Sequence, residues 1–396
     1  MDEEQIAKLL KQIPGARRGA DGVIIGDERG SFYVTDIGKA DSDLSAEEQL
    51  FTPFCAKKEI IRLRSLSSAH DYLLRLRANA IADSARLSRV VLSRRKRFER
   101  NGRIWSLSAY YDTLNGPAKR YVDRLARRDR ALVRAVPFGF APLLEANAVC
   151  LKSIIGDVVF VSEALRYFYY FMTICLFGSE FGIDRPDCAD AGVVALRIMK
   201  GSEAQDFDID PRGTLARSTE AVIQRRVDDM IEFTFGHEFA HLLLDHLSLT
   251  GPPIAAVLDA DLRTYSHAQE YAADLHAIQA IRKDRAARSA LTIAAYNVFL
   301  YLHVIDLMSA ENSDVPHFSV SDTHPAPLDR LRSLREKLND RASELEHEMA
   351  IEAVHVMKEI LLERIRGSTR NDLLTMYGSV YLHGLGGKPR QDRIDF

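Results

Sequence analysis

The sequence predicts an α+β fold that is predominantly helical. Apolar residues recur at helical spacing through much of residues 57–135 and again from residue 218 to residue 365. Short apolar runs suited to strands occur in only two places, at residues 22–35 and 145–161. At 396 residues, the chain is long enough for one large or two ordinary domains with an ample core. We therefore expect helices packed around small sheets.

The bulk composition is that of a soluble globular protein. Hydrophobic residues make up 46% and charged residues 28%, and the net charge of -3 indicates no particular partner. Two apolar runs, residues 158–177 and 290–308, are broken by polar and charged residues, so they predict buried core helices rather than membrane spans. The four cysteines are scattered, as expected of free thiols in a reducing compartment. The N-terminus lacks the pattern of a signal peptide, so we expect a cytoplasmic protein.

Residues 1–56 predict a small β-containing cap. A short helix, Glu3–Gln12, comes first. A hairpin then follows, in which Gly22–Gly26 and Ser31–Thr35 are strands joined by the turn Asp27–Gly30.

Residues 57–135 predict a basic helical region. This segment contains roughly twenty Lys and Arg but only about seven Asp and Glu. One interpretation is a helical face packed against an acidic part of the same chain. The other is a docking surface for an anionic partner or a nucleic acid. The first is favoured, because no nucleic-acid-binding signature accompanies the charge.

Residues 136–340 form the predicted core domain. Pro137–Pro142 is typical of a linker, and Glu145–Leu151 and Asp157–Val161 predict strands. Ser162 opens an aromatic helix, and Gly201–Gly213 predicts an exposed loop because it is rich in Asp, Ser and Gly.

A long helix, Ser218–Leu247, is predicted next, with Gly251–Pro253 after it as a stop signal. Ser266 and Gln269 form a capping-box signature for the helix that follows. The remaining predicted segments are the buried helix Ala290–Met308, a loop over Glu311–His324, the amphipathic helices Pro327–Leu338 and Leu345–Ile365, and a loosely ordered tail after Gly378. Residues 341–396 are treated as a C-terminal helix and tail.

A His-Glu-x-x-His motif lies near the end of the long helix. Residues four apart share one face of a helix, so His237 and His241 can point two imidazoles at one ion. Glu238 lies beside them, where it can take a proton from a water. Nitrogen ligands, an open coordination position and a nearby base are what a zinc hydrolase needs. The sequence therefore predicts a Zn²⁺ site here.

A catalytic zinc has three protein ligands, and the next helix offers the third. Glu270 and Asp274 lie one turn apart on it. We expect Glu270 to be the third ligand and Asp274 to accept a hydrogen bond from a ligand imidazole. The alternative is a pair of ordinary surface carboxylates. Either His267 or His276 could replace Glu270 if that assignment is wrong.

Four further side chains receive predicted roles. His324 precedes Pro325 and is held extended, and it could stabilise an oxyanion together with Arg330. The alternative is a loop whose His and Arg are only solvated. His246 lies two and a half turns beyond His237, so we expect it to point away from the ligands and to be structural or to support a ligand. His303, in an apolar helix, is expected to be a hydrogen-bonded core residue.

These elements occur in one order along the chain. They are Asn147-Ala148, the His237–His241 motif, Glu270 with Asp274, and Thr323-His324-Pro325 followed by Arg330. In this order they resemble the gluzincin metallopeptidases of the HtpX and CAAX-prenyl-protease family, which implies a zincin-like core with a small edge sheet. The resemblance also implies that Asn147 and Ala148 precede a strand that pairs with substrate. A soluble phage-exclusion peptidase of the Lit type would carry the same histidine motif and is the looser alternative.

The predicted function is that of a soluble zinc endopeptidase acting on a protein substrate. In this hypothesis Glu238 is the general base for a zinc-activated water, and His324 and Arg330 stabilise the oxyanion. The enzyme is expected to be latent or regulated, with residues 1–56 and Gly201–Gly213 as candidate covers. The alternatives are a regulatory or binding protein on the same scaffold, with the basic helices as its contact surface, and another zinc hydrolase such as an aminopeptidase.

Overall fold

The computed structural model describes residues 1–27, 30–34, 43–153, 155–247, 265–281, 283–311, 324–339, 344–368, 373–375 and 378–388. The chain divides into two compact units, Met1–Thr52 and Pro53–Phe396. The described residues form an α+β fold that is predominantly helical, which confirms the predicted fold class. The finer division of residues 57–396 into three regions stays a prediction.

The first unit contains a three-stranded antiparallel sheet and two helices. Its elements are α1 (Glu3–Gln12), β1 (Arg17–Arg18), β2 (Val23–Asp27), β3 (Gly30–Val34) and α2 (Ala46–Gln49). The strand order is β1-β2-β3. Val23 lies opposite Val34 in the β2–β3 pair, so the expected hairpin is present. Residues 28 and 29 of its turn lie outside the described residues.

Six helices open the second unit. They are α3 (Lys57–Ser65), α4 (Ala69–Ala82), α5 (Ala85–Arg100), α6 (Leu107–Leu114), α7 (Gly116–Arg124) and α8 (Arg127–Arg134). Glu59 ties the first of them to the fourth, because its buried carboxylate accepts hydrogen bonds from the backbone N–H groups of Leu107 and Ser108 at 2.9 and 2.8 Å. These two N–H groups lie in the first turn of α6, where a helix has no internal acceptors for them.

Several basic side chains of these helices pair with acids later in the chain. Arg94 binds Glu163 at 2.8 Å, and Arg89 binds Asp206 at 2.5 Å. On another face, Arg120 binds Glu232 at 3.2 Å. Part of the positive charge of residues 57–135 is therefore neutralised within the chain.

A second small sheet follows the basic helices. It consists of β4 (Phe138–Ala141), β5 (Ala148–Ser153) and β6 (Gly156–Ser162), in the order β4-β6-β5. β4 runs parallel to β6, whereas β5 pairs with it antiparallel and lies at an edge. The linker predicted at Pro137–Pro142 is wrong, since β4 lies there. Its Pro and Gly suggest a linker, but Gly139 is needed for close packing, because a Cβ there would come within 2.7 Å of the Arg77 guanidinium.

Two buried helices come after the sheet. Ser162 caps α9 (Glu163–Phe177) as expected, and a short 3-10 helix, Gly178–Phe181, leads to α10 (Arg185–Met199). The sequence analysis missed α10. Nearly all of its residues are buried, so it shows little of the polar-apolar alternation that reveals a surface helix.

The segment Gly201–Gly213 is not the exposed loop that the sequence predicts. Glu203 and Asp206 are completely buried, and Arg212 is only 2% exposed. The tail after Gly378 is also better packed than expected up to residue 388, with Tyr381 and Leu382 buried. Polar composition predicts exposure only when the charges lack partners, and here arginines supply them.

The last helices surround the long central one. They are α11 (Arg217–Leu243), α12 (His267–Gln279), α13 (Arg285–Glu311), α14 (Pro327–Leu338) and α15 (Glu344–Arg366). Among the described residues, α13 alone is long and apolar enough to cross a membrane, but 61% of its apolar window is buried in the protein. It packs against α11, α14 and α15 as a core helix would. The predicted stop at Gly251–Pro253 and most of the predicted loop Glu311–His324 lie outside the described residues.

Candidate metal centre

The long helix α11 carries the histidine motif on its buried face. His237, Glu238 and His241 are at most 7% exposed. The residue before the motif, Gly236, is also closely packed, because a Cβ there would lie 2.5 Å from the ring of Tyr121. The apolar sequence around the motif therefore buries the two imidazoles in the core of the unit.

The following helix, α12, brings carboxylates to these imidazoles. Ser266 and Gln269 form the capping box that the sequence predicts. Glu270 and Asp274 then lie on the face of α12 that packs against α11, with 0% and 1% exposure. This burial excludes the alternative of two ordinary surface carboxylates.

Three side chains converge on one point. One ligand atom from each of His237, His241 and Glu270 can be chosen so that all three lie within 4.8 Å of one another. The two Nε2 atoms are 3.1 Å apart. Glu270 Oε2 lies 3.4 Å from Nε2 of His237, and Oε1 lies 3.5 Å from Nε2 of His241. Two nitrogens and a carboxylate form a donor set that suits zinc.

The hydrogen bonds around this cluster show that it fits a cation. Both carboxylate oxygens of Glu270 are buried and accept no hydrogen bond of good geometry from the described residues, although Oε2 lies 3.0 Å from Nδ1 of His324 and 3.6 Å from Nη2 of Arg330. A buried carboxylate without donors is costly unless positive charge compensates it. Nδ1 of His237 donates outward to Asp274, so Nε2 is the nitrogen that faces the shared point and that a metal ion could bind. Converging ligand atoms and negative charge are what a metal ion requires.

Asp274 and Arg330 hold His237 in this orientation. Nδ1 of His237 is 2.9 Å from Asp274 Oδ1. Arg330 in turn donates to both oxygens of Asp274, at 2.9 Å from Nε and 2.6 Å from Nη2. A carboxylate behind a ligand histidine fixes its tautomer and its ring orientation. The structure thus places Asp274 where the sequence analysis expected an acceptor for a ligand imidazole.

His246 lies against the second ligand histidine. Its Nδ1 is 2.9 Å from Nδ1 of His241. The expectation that His246 points away was based on a helix continuing to Leu247. The helix ends at Leu243 instead, and Asp245 adopts a left-handed conformation with φ of 56° that turns the chain back. Helical angles therefore do not apply to His246.

The pKa values of these groups reflect their burial and the charged groups around them. Burial acts to lower the pKa of His237, but contacts with Asp274 and Glu270 raise it to about 10. Burial, assisted by His237, lowers the pKa of His241 to about 2. Burial raises the pKa of Glu238 to about 7. Glu270 has a pKa well below its usual value, because its contacts with His237 and His324 outweigh burial. Near pH 7 these pKa values leave His241 neutral and Glu270 ionised, the forms in which both can bind a metal ion.

The structure brings His324 to the cluster and engages Arg330 behind it. Nδ1 of His324 lies 3.0 Å from Oε2 of Glu270, and its side chain is 49% exposed. It is therefore at the open side of the site. Arg330 is buried and binds Asp274, and its guanidinium also lies over the ring of Phe299 at 4.8 Å. Its nearest charged partner is thus Asp274, and a direct role at an oxyanion stays a prediction.

The other histidines lie outside the metal-ligating cluster found among the described residues, which contains neither His267 nor His276. His303 lies on α13 with its ring centroid 5.8 Å from that of His355. Burial lowers the pKa of His303 to about 4, so it is neutral near pH 7. Its Nε2 has no hydrogen-bond partner among the described residues, in contrast to the hydrogen-bonded core residue expected.

Ala148 is the first residue of the edge strand β5, which packs against α11, and Asn147 immediately precedes it. The carbonyl of Asn147 accepts from the N–H of Ser162 at 2.8 Å, so residue 147 belongs to a hydrogen-bonded pair. By alternation, Ala148 and Cys150 direct their backbone groups to the free edge. One side chain that the sequence analysis missed, Tyr265, reaches this edge and donates to the carbonyl of Cys150 at 2.8 Å.

Comparison with known proteins supports a peptidase. Residues 210–350 match the sequence model of the family described as Peptidase U49. No curated protein and no solved structure matches the chain significantly. The matched region runs through α11, α12, α13 and α14 and includes all three residues of the cluster. The match does not support the HtpX and CAAX-prenyl-protease family in particular. The chain is thus similar to a peptidase family in the region that holds a His-His-Glu cluster compatible with a metal ion.

Proposed function

We propose that this protein is a zinc-dependent endopeptidase that cleaves a protein substrate, akin to the Lit-type peptidases rather than to the HtpX family. One observation carries the proposal. His237, His241 and Glu270 converge in the core, with Glu238 next to a ligand, inside the region that matches a peptidase family. The four cysteines are free and buried, which favours a reducing, cytoplasmic location.

The proposed ligands are His237, His241 and Glu270. When bound, zinc supplies a Lewis acid that polarises the peptide carbonyl and makes a water easier to deprotonate. Glu238 is buried beside the ligands and is not part of the converging set. We assign it the proton transfers: it takes a proton from the attacking water and delivers it to the leaving amine.

Two further elements would act on the peptide itself. His324, at the open side of the site, can donate a hydrogen bond to the carbonyl oxygen as negative charge develops there. Ala148 of the edge strand β5 directs its carbonyl to the free edge, where an extended peptide can pair with it, whereas its N–H donates to Asn147 Oδ1 at 2.8 Å. Arg330 acts indirectly: it donates hydrogen bonds to Asp274, which in turn orients His237.

The decisive test replaces Glu238 by Gln. This change keeps the size of the side chain but removes the proton acceptor, so we expect cleavage to fall by about a hundredfold to ten-thousandfold. Bound zinc should stay the same, because Glu238 is not a ligand. The measurement compares new protein N-termini produced in a cell lysate by zinc-loaded wild type and by Glu238→Gln.

Glu220→Gln is the matched control. Glu220 lies on the same helix and hydrogen-bonds Tyr170, away from the cluster. It should leave the cleavage profile unchanged. Full cleavage by Glu238→Gln would contradict the proposed mechanism. Profiles in which neither zinc-loaded wild type nor Glu238→Gln produces new N-termini would favour the alternative of a regulatory or binding protein.

A further inference from the structure

Tyr265 precedes Ser266, the N-cap of α12, and lies flat against a proposed metal ligand. Its ring centroid is 3.7 Å from that of His241, and the two planes differ by 15°. Tyr265 is only 9% exposed. A parallel aromatic neighbour at van der Waals distance restricts rotation of the imidazole about its Cβ–Cγ bond, since any turn of the ring would collide with it.

The hydroxyl of Tyr265 contacts a different part of the site. It donates to the carbonyl of Cys150 at 2.8 Å. Cys150 lies in β5, opposite Val159 of β6. Its backbone groups point to the free edge of the sheet, because residue 147 is in a hydrogen-bonded pair and the pattern alternates. One tyrosine therefore bridges the ligand helix and the edge strand.

The two ligand histidines are supported differently. Nδ1 of His237 contacts a carboxylate, Asp274, which is itself held by Arg330. Among the described residues, Nδ1 of His241 has a histidine, His246, as its partner at 2.9 Å and not a carboxylate. A histidine partner at Nδ1 holds an imidazole less strongly than a carboxylate partner does. His241 therefore depends more than His237 on packing for its orientation, and Tyr265 provides that packing.

We propose that Tyr265 is a positioning residue that fixes the ring of His241 and anchors the edge strand at Cys150, so that the metal ligand and the substrate-binding edge keep one geometry. This inference rests on the proposed peptidase function. The aromatic ring and the hydroxyl have separable tasks: the ring supports metal affinity, and the hydroxyl supports binding of the substrate backbone.

The test uses two substitutions in the full chain. Tyr265→Leu removes the flat ring, and we expect affinity for Zn²⁺ to fall by about 10–100-fold, the usual effect of losing a partner behind a ligand. Tyr265→Phe keeps the ring and removes one hydrogen bond. Its Zn²⁺ affinity should stay within about threefold of wild type, while KM rises about 3–10-fold at nearly unchanged kcat.

Zn²⁺ affinity is measured by chelator competition on purified apoprotein. The substrate is a peptide spanning a cleavage site found by the N-terminus comparison. Tyr121→Phe and Tyr121→Leu are matched controls, because Tyr121 is buried, packs against Phe239 of α11 and donates to the carbonyl of Ala277 at 2.8 Å. Their effects on Zn²⁺ affinity and KM should be less than about twofold, whatever they cost in stability.

The outcomes separate this inference from the proposed function. Wild type that binds Zn²⁺ and cleaves, together with Tyr265→Leu of equal Zn²⁺ affinity, would overturn the positioning role and leave the peptidase intact. If Tyr265→Leu does not fold, an unchanged KM in Tyr265→Phe overturns the strand-anchoring role. Wild type that binds no Zn²⁺ would instead overturn the metal site on which the inference rests.

Discussion

Two clusters of buried charge in the second unit are satisfied in different ways. In one, which we call the arginine cluster, Arg197, Glu203, Asp206 and Arg212 pair with one another or with Arg89. Both oxygens of Glu203 and both oxygens of Asp206 contact an arginine, at 2.5–2.9 Å. In the other, the metal cluster, neither oxygen of Glu270 accepts a hydrogen bond of good geometry from the described residues.

The difference distinguishes a structural network from a ligand site. Burying a charge is tolerated when a partner and good geometry compensate it. In the arginine cluster, residues of the chain itself provide that compensation. In the metal cluster, Asp274 accepts hydrogen bonds from Arg330 and from His237, so these bonds orient His237 and do not satisfy the oxygens of Glu270. Three predictions test this comparison.

The largest expected effect is on stability. Glu203→Gln should lower the free energy of unfolding by about 3–5 kcal/mol, because it leaves buried Arg197 and Arg212 without their shared counter-charge. Urea denaturation measures the change, with and without Zn²⁺. The surface control Glu99→Gln removes an i,i+4 pair with Arg95 and should cost less than about 1 kcal/mol. A loss for Glu203→Gln as small as that of the control would show that the arginine cluster is not structural.

The metal cluster should show a smaller, ligand-dependent effect. Wild type at a free Zn²⁺ concentration of 100 times Kd should be stabilised by about 2.7 kcal/mol. Glu270→Gln removes one proposed ligand, so most of this increment should disappear. Thermal unfolding with Zn²⁺ and with a chelator measures it.

Glu203→Gln serves as the reciprocal control, since it should be destabilised but should retain the full Zn²⁺ increment. An equal increment in wild type and Glu270→Gln would mean that Glu270 is not a ligand.

The smallest effect concerns pH. Contacts with Arg212 and Arg197 outweigh burial and hold the pKa of Glu203 below its usual value of 4.5. As pH falls, Glu203 of the unfolded chain therefore takes up a proton before Glu203 of the folded protein does. The stability that ionised Glu203 contributes is complete above about pH 4.5 and is lost as pH falls through the folded pKa. The stability difference between wild type and Glu203→Gln should shrink below pH 4.5 in urea titrations. A difference independent of pH down to pH 3 would contradict this assignment.

Local patterns explain most of what could be predicted. The hairpin of the first unit, the cap at Ser162, the capping box at Ser266 and the helix Pro327–Leu338 all appear as expected. Each depends on residues within a few positions of one another. Helix α10 and the buried segment at Gly201–Gly213 were missed. Burial on all sides removes the periodicity of α10, and no regular spacing marks the arginines that pair with Glu203 and Asp206, of which Arg89 lies 117 residues before Asp206.

The sequence by itself determined the chemistry of the candidate site. The spacing of His237 and His241 places both imidazoles on one helix face, and the cap at Ser266 sets the face that carries Glu270. Only the tertiary structure decided which supports surround these groups. The turn at Asp245 brings His246 to His241, and Tyr265 meets Cys150, 115 residues earlier in the chain. The reason is physical: helical spacing and caps are short-range interactions, whereas such supports depend on which elements pack together, and many different residues satisfy the same packing.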